Sequence, residues 1–325
     1  MGEALQTKAV GVRILFAGTP AVAVPTLKAV ASHFEVAAVL TNTDKRGPRG
    51  RALVPSPIKE EALALGLDVL QFDHLGKAAR DAVAPYRCDT LLCFAYGRIF
   101  GVKFLSLFPG ERLNIHPSLL PALRGPSPIQ GTILSQSPTG GISIQRLASE
   151  MDSGDILSTV TYDLFGDETT ASLTERVGEL AAPLALDALM RIKEGRALFT
   201  PQRGEATYTT LIDASMAKLD FKESAKSLHA QIRAMMPWPK AETTFAGQRL
   251  FITGVQGTIE EAGSDPIPAG AVSGTVVQVD KRKGIGIVTG DGILWVTSMQ
   301  LEKRKQLDAL SFFNGNRQLL GSRLG

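Results

Sequence analysis

Asn114 and His116 lie two residues apart in the stretch LNIHPSLLPALRG (residues 113–125), and Asp152 follows in EMDSGD (residues 150–155). On an extended strand a spacing of two puts side chains on the same face, so an amide and an imidazole converge. Pro117 and Pro121 then break regular structure, which places the pair at a strand end opening into a loop, where sites form in parallel sheets. Taken singly, His116 is more often a packing residue than a catalyst, and Asp152 more often a turn former. Together the three make a chemically complete set for acyl transfer: a neutral hydrogen-bond donor, a titratable imidazole, and a carboxylate to orient it or relay a proton. Such chemistry needs no metal.

Positioning these groups requires a scaffold of alternating strands and helices. VRILFAG (residues 12–18) is an apolar run closed by glycine, and similar runs recur at residues 36–40, 90–94 and 113–116, with another at 156–161. Ala- and Leu-rich stretches at residues 22–30, 58–65 and 77–84 read as helices between them, and a long helical pattern covers residues 170–194. This order predicts an α/β domain with a parallel, Rossmann-like sheet covered on both faces. Gly18 closes the first strand, but AGTPAVAVP lacks G-x-G-x-x-G and the Gly-Lys-Ser/Thr ending of a phosphate loop, so a tight turn is expected rather than a dinucleotide site.

Residues 195–210 are polar and irregular and read as a linker. Beyond them, residues 224–235 place Leu228, Ile232 and Met235 on one helical face. Short β-rich runs at 249–255, 274–279, 285–289 and 293–296, separated by glycine turns, predict a small OB-like β-barrel. The expected division is therefore 11–205 for the catalytic domain and 206–325 for linker plus barrel.

Composition narrows the classes further. A chain of 325 residues, 44% hydrophobic and 21% charged, is long for one core. Its +3 formal charge, from 35 Lys and Arg against 32 Asp and Glu, is too balanced to announce a nucleic-acid partner, so charge distribution must decide. Cys88 and Cys93 lie in or beside an apolar run and read as buried thiols of a reducing, cytoplasmic protein. No apolar run approaches a membrane span, and residues 1–10 lack the blocks of a signal peptide, so a soluble chain is expected.

NIHPSLLPALRG followed by MDSGD resembles the signature of the folate-dependent formyltransferases. RILFAGTP, LVPSPIK, AYGRIF and RGPSPIQG extend the resemblance toward members that act on methionyl-tRNA, and MPWPKAETTFAGQRL and TGDGIL carry it into the second domain. The resemblance implies 10-formyltetrahydrofolate as co-substrate, the α-amino group of initiator methionyl-tRNA as acceptor, no metal, no membrane partner and a monomeric chain. It makes Asn114, His116 and Asp152 catalytic and the loop Ser118, Leu119, Leu120 and Pro121 part of the folate site. In this reading Asn114 and a protonated His116 stabilise the oxyanion, and Asp152 raises the imidazole pKa. Pteridine contacts are expected on backbone groups of residues 91–96 and of the loop around Asp152. Arg98 departs from the apolar residue expected in the tRNA-directed members. An arginine in this register resembles the glycinamide-directed members, where it meets the glutamate tail of the folate.

TDKRGPRGRALV (residues 43–54) gathers Lys45, Arg46, Arg49 and Arg51 in one glycine-punctuated loop. Four such charges are commonly a solvated turn; matched to the tRNA-directed members, the segment becomes their acceptor-stem loop, with Arg49 on the RNA. The triplets 281–283 and 303–305 are either solvated turns or phosphate contacts. The competing readings are a family member with a small-molecule acceptor or water as its target, and an RNA-binding module without catalysis.

Overall fold

A computed structural model of the chain describes residues 12–47 and 52–325. The first half runs β1 (Arg13–Gly18), α1 (Val24–His33), β2 (Glu35–Thr41), the short β3 (Lys45–Arg46) and β4 (Leu53–Val54), α2 (Pro57–Ala64), β5 (Val69–Gln71), α3 (Lys77–Val83) and β6 (Thr90–Phe94). It continues through α4 (Val102–Leu105), β7 (Arg112–His116), α5 (Pro128–Leu134), β8 (Thr139–Arg146), β9 (Ile156–Asp163) and α6 (Thr170–Lys193).

Seven of these strands form one sheet in the order β5-β2-β1-β6-β7-β8-β9. Pairing is parallel from β5 to β7. β1 and β6 sit at its centre and are apolar on both faces, as a sheet covered on both sides requires. The parallel sheet expected from the sequence is thus present, and beyond it β8 pairs antiparallel with β7. Its sequence TGGISIQR has glycines at its second and third positions and mixes polar with apolar residues, so it lacks the unbroken apolar signature of its neighbours. Both faces are nonetheless buried, Ile142 and Ile144 on one and Ser143 and Gln145 on the other.

Local chemistry sets the helix starts. Ser56 accepts a hydrogen bond from the Lys59 amide at 3.1 Å, with Pro57 at the first helical position of α2. Leu15, Leu40, Leu91, Cys93, Tyr96, Phe104 and Phe108 belong to one buried core packed on the central strands. Tyr96, Phe100, Phe104 and Phe108, four residues apart, pack successively at 5.4, 5.6 and 5.8 Å between ring centroids, the first pair stacked and the others tilted. Each fully buried phenylalanine contributes about 1.5–3 kcal/mol, and the ladder fixes the connection from β6 to β7. Cys88 and Cys93 are free and buried, and burial pushes their thiols up to about 11 and about 12.

The remaining elements are α7 (Ala225–Ala234), β10 (Ala241–Phe245), β11 (Gln248–Val255), β12 (Val276–Asp280), β13 (Gly284–Val288), β14 (Ile293–Leu301), β15 (Leu307–Asp308) and α8 (Ala309–Gly315). They make an antiparallel sheet in the order β10-β11-β14-β13-β12, with β15 beside β14. Ser224 caps α7, and Leu228, Ile232 and Met235 are buried together as their spacing predicts. β10 and α8 were not anticipated in the sequence.

By contacts the chain forms two compact units. One holds the described residues up to Pro128 with Gly141–Thr161 and Thr174–Tyr208; the other holds Ile129–Gly140, Tyr162–Leu173 and Thr209–Gly325. Residues 200–208 of the expected linker are thus part of the first unit, because hydrogen bonds tie them there: Thr200 pairs with Ile156, and Thr207 with Pro121, Leu123 and Arg124. No helix among the described residues is long and apolar enough to cross a membrane.

Candidate active site

β7 ends on the two residues that its sequence singles out. Asn114 and His116 face the same way, and β8 sets Gln145 directly opposite Asn114 and Ser143 directly opposite His116. In an antiparallel pair such opposed residues share a face and are each other's neighbours.

Asp152 completes the cluster from the turn between β8 and β9. Its side-chain Oδ1 accepts from Gln145 Nε2 at 2.9 Å and Asn114 Nδ2 at 3.3 Å, and Oδ2 accepts from the Gly125 amide at 2.8 Å. His116 Nδ1 lies 3.6 Å from Oδ2, with the two side chains only 5% and 12% exposed. A carboxylate oxygen only accepts here, and these three N–H donors fix the orientation of the Asp152 side chain.

At 2.9 Å the Leu123 carbonyl accepts from His116 Nε2, which fixes the hydrogen on that nitrogen and leaves Nδ1 as the basic one. Burial lowers the His116 pKa from its ordinary 6.5, against the upward pull of Asp152 and of the Leu123 carbonyl. Asp152 therefore acts in the direction expected from the sequence, but desolvation outweighs it. Burial thus favours the neutral form of the resting imidazole, so the imidazolium of the sequence reading belongs to the step in which a proton is taken up.

The backbone is strained on both sides of the imidazole. Asp152 has φ of 53° and Leu123 φ of 57°, the left-handed region that L-residues with side chains seldom adopt. Aspartate tolerates this conformation better than leucine. Observed strain at two residues that both meet His116 is characteristic of a functional site.

The loop after β7 is held from beneath. Ser143 Oγ donates to the Ser118 carbonyl at 2.7 Å and accepts from the Leu120 amide at 3.2 Å, while Ser118 Oγ donates to the Ala122 carbonyl at 2.6 Å. Ser118 and Leu120 are buried; Leu119 and Pro121 are half-buried. A Cβ on Gly141 would lie 2.2 Å from Leu119 Cδ2, so glycine is what lets β8 approach this loop. The Ser118 hydroxyl is thus committed to its own turn.

Arg98 follows β6, sixteen residues before Asn114. Its guanidinium donates to Asn42 Oδ1 and to the Asp73 carbonyl and lies 3.8 Å from the Asp73 carboxylate. Asn42 in turn donates to the Tyr96 carbonyl at 2.8 Å. Ala95 and Gly97 are exposed at the end of β6, Ala95 with φ of 52°. Gly18 packs against Phe16, Phe94 and Ala23, in keeping with a tight turn. No cluster of His, Cys, Asp or Glu suited to a metal occurs among the described residues.

Lys45 and Arg46 form β3, exposed and paired with β4; Arg49 and Arg51 lie outside the described residues. In the second unit the residues of both basic triplets are exposed, but Lys283 is tied to Asp265 at 2.6 Å and lies 5.2 Å from the Trp295 ring centroid.

Sequence reasoning missed Gln145, Ser143 and Gly125, which hold the cluster, and Gln202 and Arg124 behind them. The alternation of Ile142 and Ile144 with Ser143 and Gln145 is a strand signal, but it spans only four residues and follows two glycines.

Residues 12–189 match the family described as Formyl transferase, and residues 211–317 that described as Formyl transferase, C-terminal domain. The chain is 38% identical over 323 residues to the methionyl-tRNA formyltransferase of Treponema pallidum, covering 97% of this chain and 99% of that protein. It is 35% identical over 309 residues to the methionyl-tRNA formyltransferase of Borrelia recurrentis, covering 95% and 98%. Among solved structures, HypX from Aquifex aeolicus in complex with tetrahydrofolic acid superposes with a TM-score of 0.60 at 18% identity, a likeness of fold alone. That match covers 94% of this chain and 47% of HypX, so the chain spans about half of HypX's length.

Proposed function

The chain belongs to the formyl transferase family, and on that premise we propose that it transfers the formyl group of 10-formyltetrahydrofolate to the α-amino group of initiator methionyl-tRNA. The observation that carries this reading is the cluster itself: a fixed carboxylate, a neutral buried imidazole beside it, and an amide donor. Asn114 Nδ2 places one hydrogen on Asp152, and no other hydrogen bond to this nitrogen is seen among the described residues. The second hydrogen is directed to the formyl oxygen as it gains negative charge on attack.

His116 Nδ1 accepts the proton that the attacking amine must lose, and Asp152 and the Leu123 carbonyl then hold the imidazolium from its two sides. The same proton is returned to the folate nitrogen as the carbon–nitrogen bond to the donor breaks. The amine itself needs little help, since an α-amino group with a pKa of about 7.7–8.0 is partly neutral near pH 7. Orientation therefore contributes more than base strength.

The residues at the end of β6 suit a pteridine. Its amidine-like edge calls for backbone donors and acceptors, for which the exposed residues Ala95 and Gly97 are placed, and the loop Ser118, Leu119, Leu120 and Pro121 supplies an apolar wall. We place the catalytic work in residues 11–205 and RNA contact in residues 206–325 and the 45–51 loop, in a cytoplasmic enzyme, a setting in keeping with two free, buried thiols.

Incubating the purified protein with donor and charged initiator tRNA, then releasing the amino acid by mild base, should yield N-formylmethionine by mass. Formyl delivered only to water or to an amino-sugar nucleotide would overturn the assignment.

Arg98 we assign to the carboxylates of the folate glutamate tail. Arg98→Leu is expected to raise KM for a polyglutamylated donor severalfold while leaving KM for methionyl-tRNA unchanged. Equal donor KM in both proteins, with mono- and polyglutamylated folate alike, would leave Arg98 a structural partner of Asn42 and Asp73.

Lys45, Arg46, Arg49 and Arg51 we assign to the acceptor end of the tRNA, with Arg49 the largest contributor. Arg49→Ala should weaken tRNA binding and reduce the slope of log Kd against log salt by about one contact. Arginine bridges phosphates or stacks on bases in ways lysine does not, so Arg49→Lys should stay impaired. Binding of either variant with wild-type affinity and salt slope would refute the assignment.

A further inference from the structure

Asp152 is held from behind by a second layer that neither the reaction nor the family match assigns. Gln145 is 1% exposed, and its Nε2 donates to Asp152 Oδ1 at 2.9 Å. Gln202, from the segment after α6, donates through its single amide nitrogen to the Asp152 carbonyl at 2.8 Å and the Gly154 carbonyl at 2.8 Å, with Gln145 Oε1 at 3.3 Å. Its own Oε1 accepts from Arg124 at 2.7 and 3.2 Å. Arg124 belongs to the same loop as Leu123, whose carbonyl holds His116.

These bonds form one connected path from the imidazole's support, through Arg124, Gln202 and Gln145, back to the carboxylate. A left-handed aspartate persists only where its surroundings over-determine it, and Gln202 straps the carbonyls on either side of this turn. We propose that Gln145 and Gln202 are positioning residues for formyl transfer, setting the Asp152 carboxylate against His116. The proposal rests on the functional reading above, and it concerns geometry rather than direct contact with substrate.

Charge gives a test that simple packing would not pass. In Gln145→Glu a donor becomes an acceptor of the same shape, and two carboxylates compete for one place. Such a pair takes up a shared proton as pH falls, and the protonated carboxyl restores the donated hydrogen bond. The other ionisable groups facing this pair are His116 from β7, Cys93 from β6 and Arg124 from the loop after β7. Burial pushes the Cys93 thiol up to about 12 and lowers the His116 pKa from its ordinary 6.5. The new carboxyl is therefore the added titrating group.

Gln145→Met, Gln145→Glu and Gln202→Ala are to be compared with the full-length wild-type enzyme by kcat, KM and pH profile, and Gln145→Met also by the NMR titration of His116. The Met and Ala variants should lose about tenfold or more in kcat, as expected for one hydrogen bond to a charged group, with both KM values within about twofold. Gln145→Glu should be the worst at pH 8 and recover toward acid pH, whereas Gln145→Met shows no such recovery. His116 in Gln145→Met should titrate above its wild-type value, since Asp152 is then less neutralised by donors. Folded variants with wild-type kcat, a Glu variant whose loss does not change with pH, or an unmoved His116 titration would each overturn the proposal. Gln202 is half-buried, so Gln202→Ala carries the test if the Gln145 variants do not fold. The NMR arm needs no substrate, and thus separates failure of this proposal from failure of the functional reading.

Discussion

Asn114→Ala and His116→Ala are each expected to lower kcat by about 10²- to 10³-fold, with KM for folate and methionyl-tRNA nearly unchanged. The asymmetry follows from what the two side chains do. The Asn114 amide hydrogen directed at the formyl oxygen gains strength only as that oxygen acquires charge, so its loss is felt in the transition state and not in binding. Likewise His116 Nδ1 is needed only when the amine nitrogen must shed its proton. Removing either also disturbs little of the fold, because Asp152 retains Gln145 and the Gly125 amide as donors. Asp152→Asn should be at least as severe, since a neutral amide gives no charge to balance the imidazolium. The check is steady-state kinetics on variants shown to be folded by circular dichroism. Wild-type turnover in both alanine variants would place the chemistry elsewhere.

Gly154→Ala is the second substitution with a large expected effect, and it acts without touching a reacting group. A Cβ at this position would lie 1.9 Å from the Arg146 carbonyl oxygen, a backbone atom that no rotamer change can move. The contact is close because the Arg146 amide donates to the Asp155 carbonyl at 2.9 Å, drawing the turn onto the end of β8. Alanine must push this pairing apart, at a cost to stability of about 3 kcal/mol. Asp152, two residues away, moves with the turn. A displacement of about 1 Å at a catalytic group costs about 10²-fold in rate, so kcat should fall by that much in whatever fraction remains folded. Thermal unfolding and kcat measured on the same preparation check both parts. An unchanged Tm and kcat would mean that the turn has room for the methyl group.

How much of this was legible in the sequence depends on the range over which each feature is encoded. Asn114 and His116 were legible because strand geometry relates neighbours two apart, and Pro117 marks where the strand ends. α7 was legible from Leu228, Ile232 and Met235, and β11 to β14 from short apolar runs between glycines. β8 was not, since Gly140 and Gly141 weaken a strand pattern; they are there because Tyr162 and Leu119 occupy the space a side chain would need. The supports of Asp152 were hidden for a different reason. Gln202 meets Gln145 across 57 positions and Arg124 across 78, distances over which no local periodicity carries information. The polar, irregular character that makes residues 195–210 look like a linker is the same character that lets Gln202 and Thr207 satisfy backbone groups of the active-site loops. The lowered pKa of His116 was likewise beyond reach, because it follows from burial created by the whole fold, whereas Asp152's opposing charge is visible as a letter.

The central claim is that these residues serve transfer to methionyl-tRNA. Its most direct test is a competition in one vessel, with formyl-labelled 10-formyltetrahydrofolate offered to equal concentrations of initiator methionyl-tRNA, free methionine and an amino-sugar nucleotide. Label should appear on the tRNA, with kcat/KM for the small amines lower by orders of magnitude, and it should vanish in His116→Ala. Label on a small amine or released as formate, with none on the tRNA, would contradict the account.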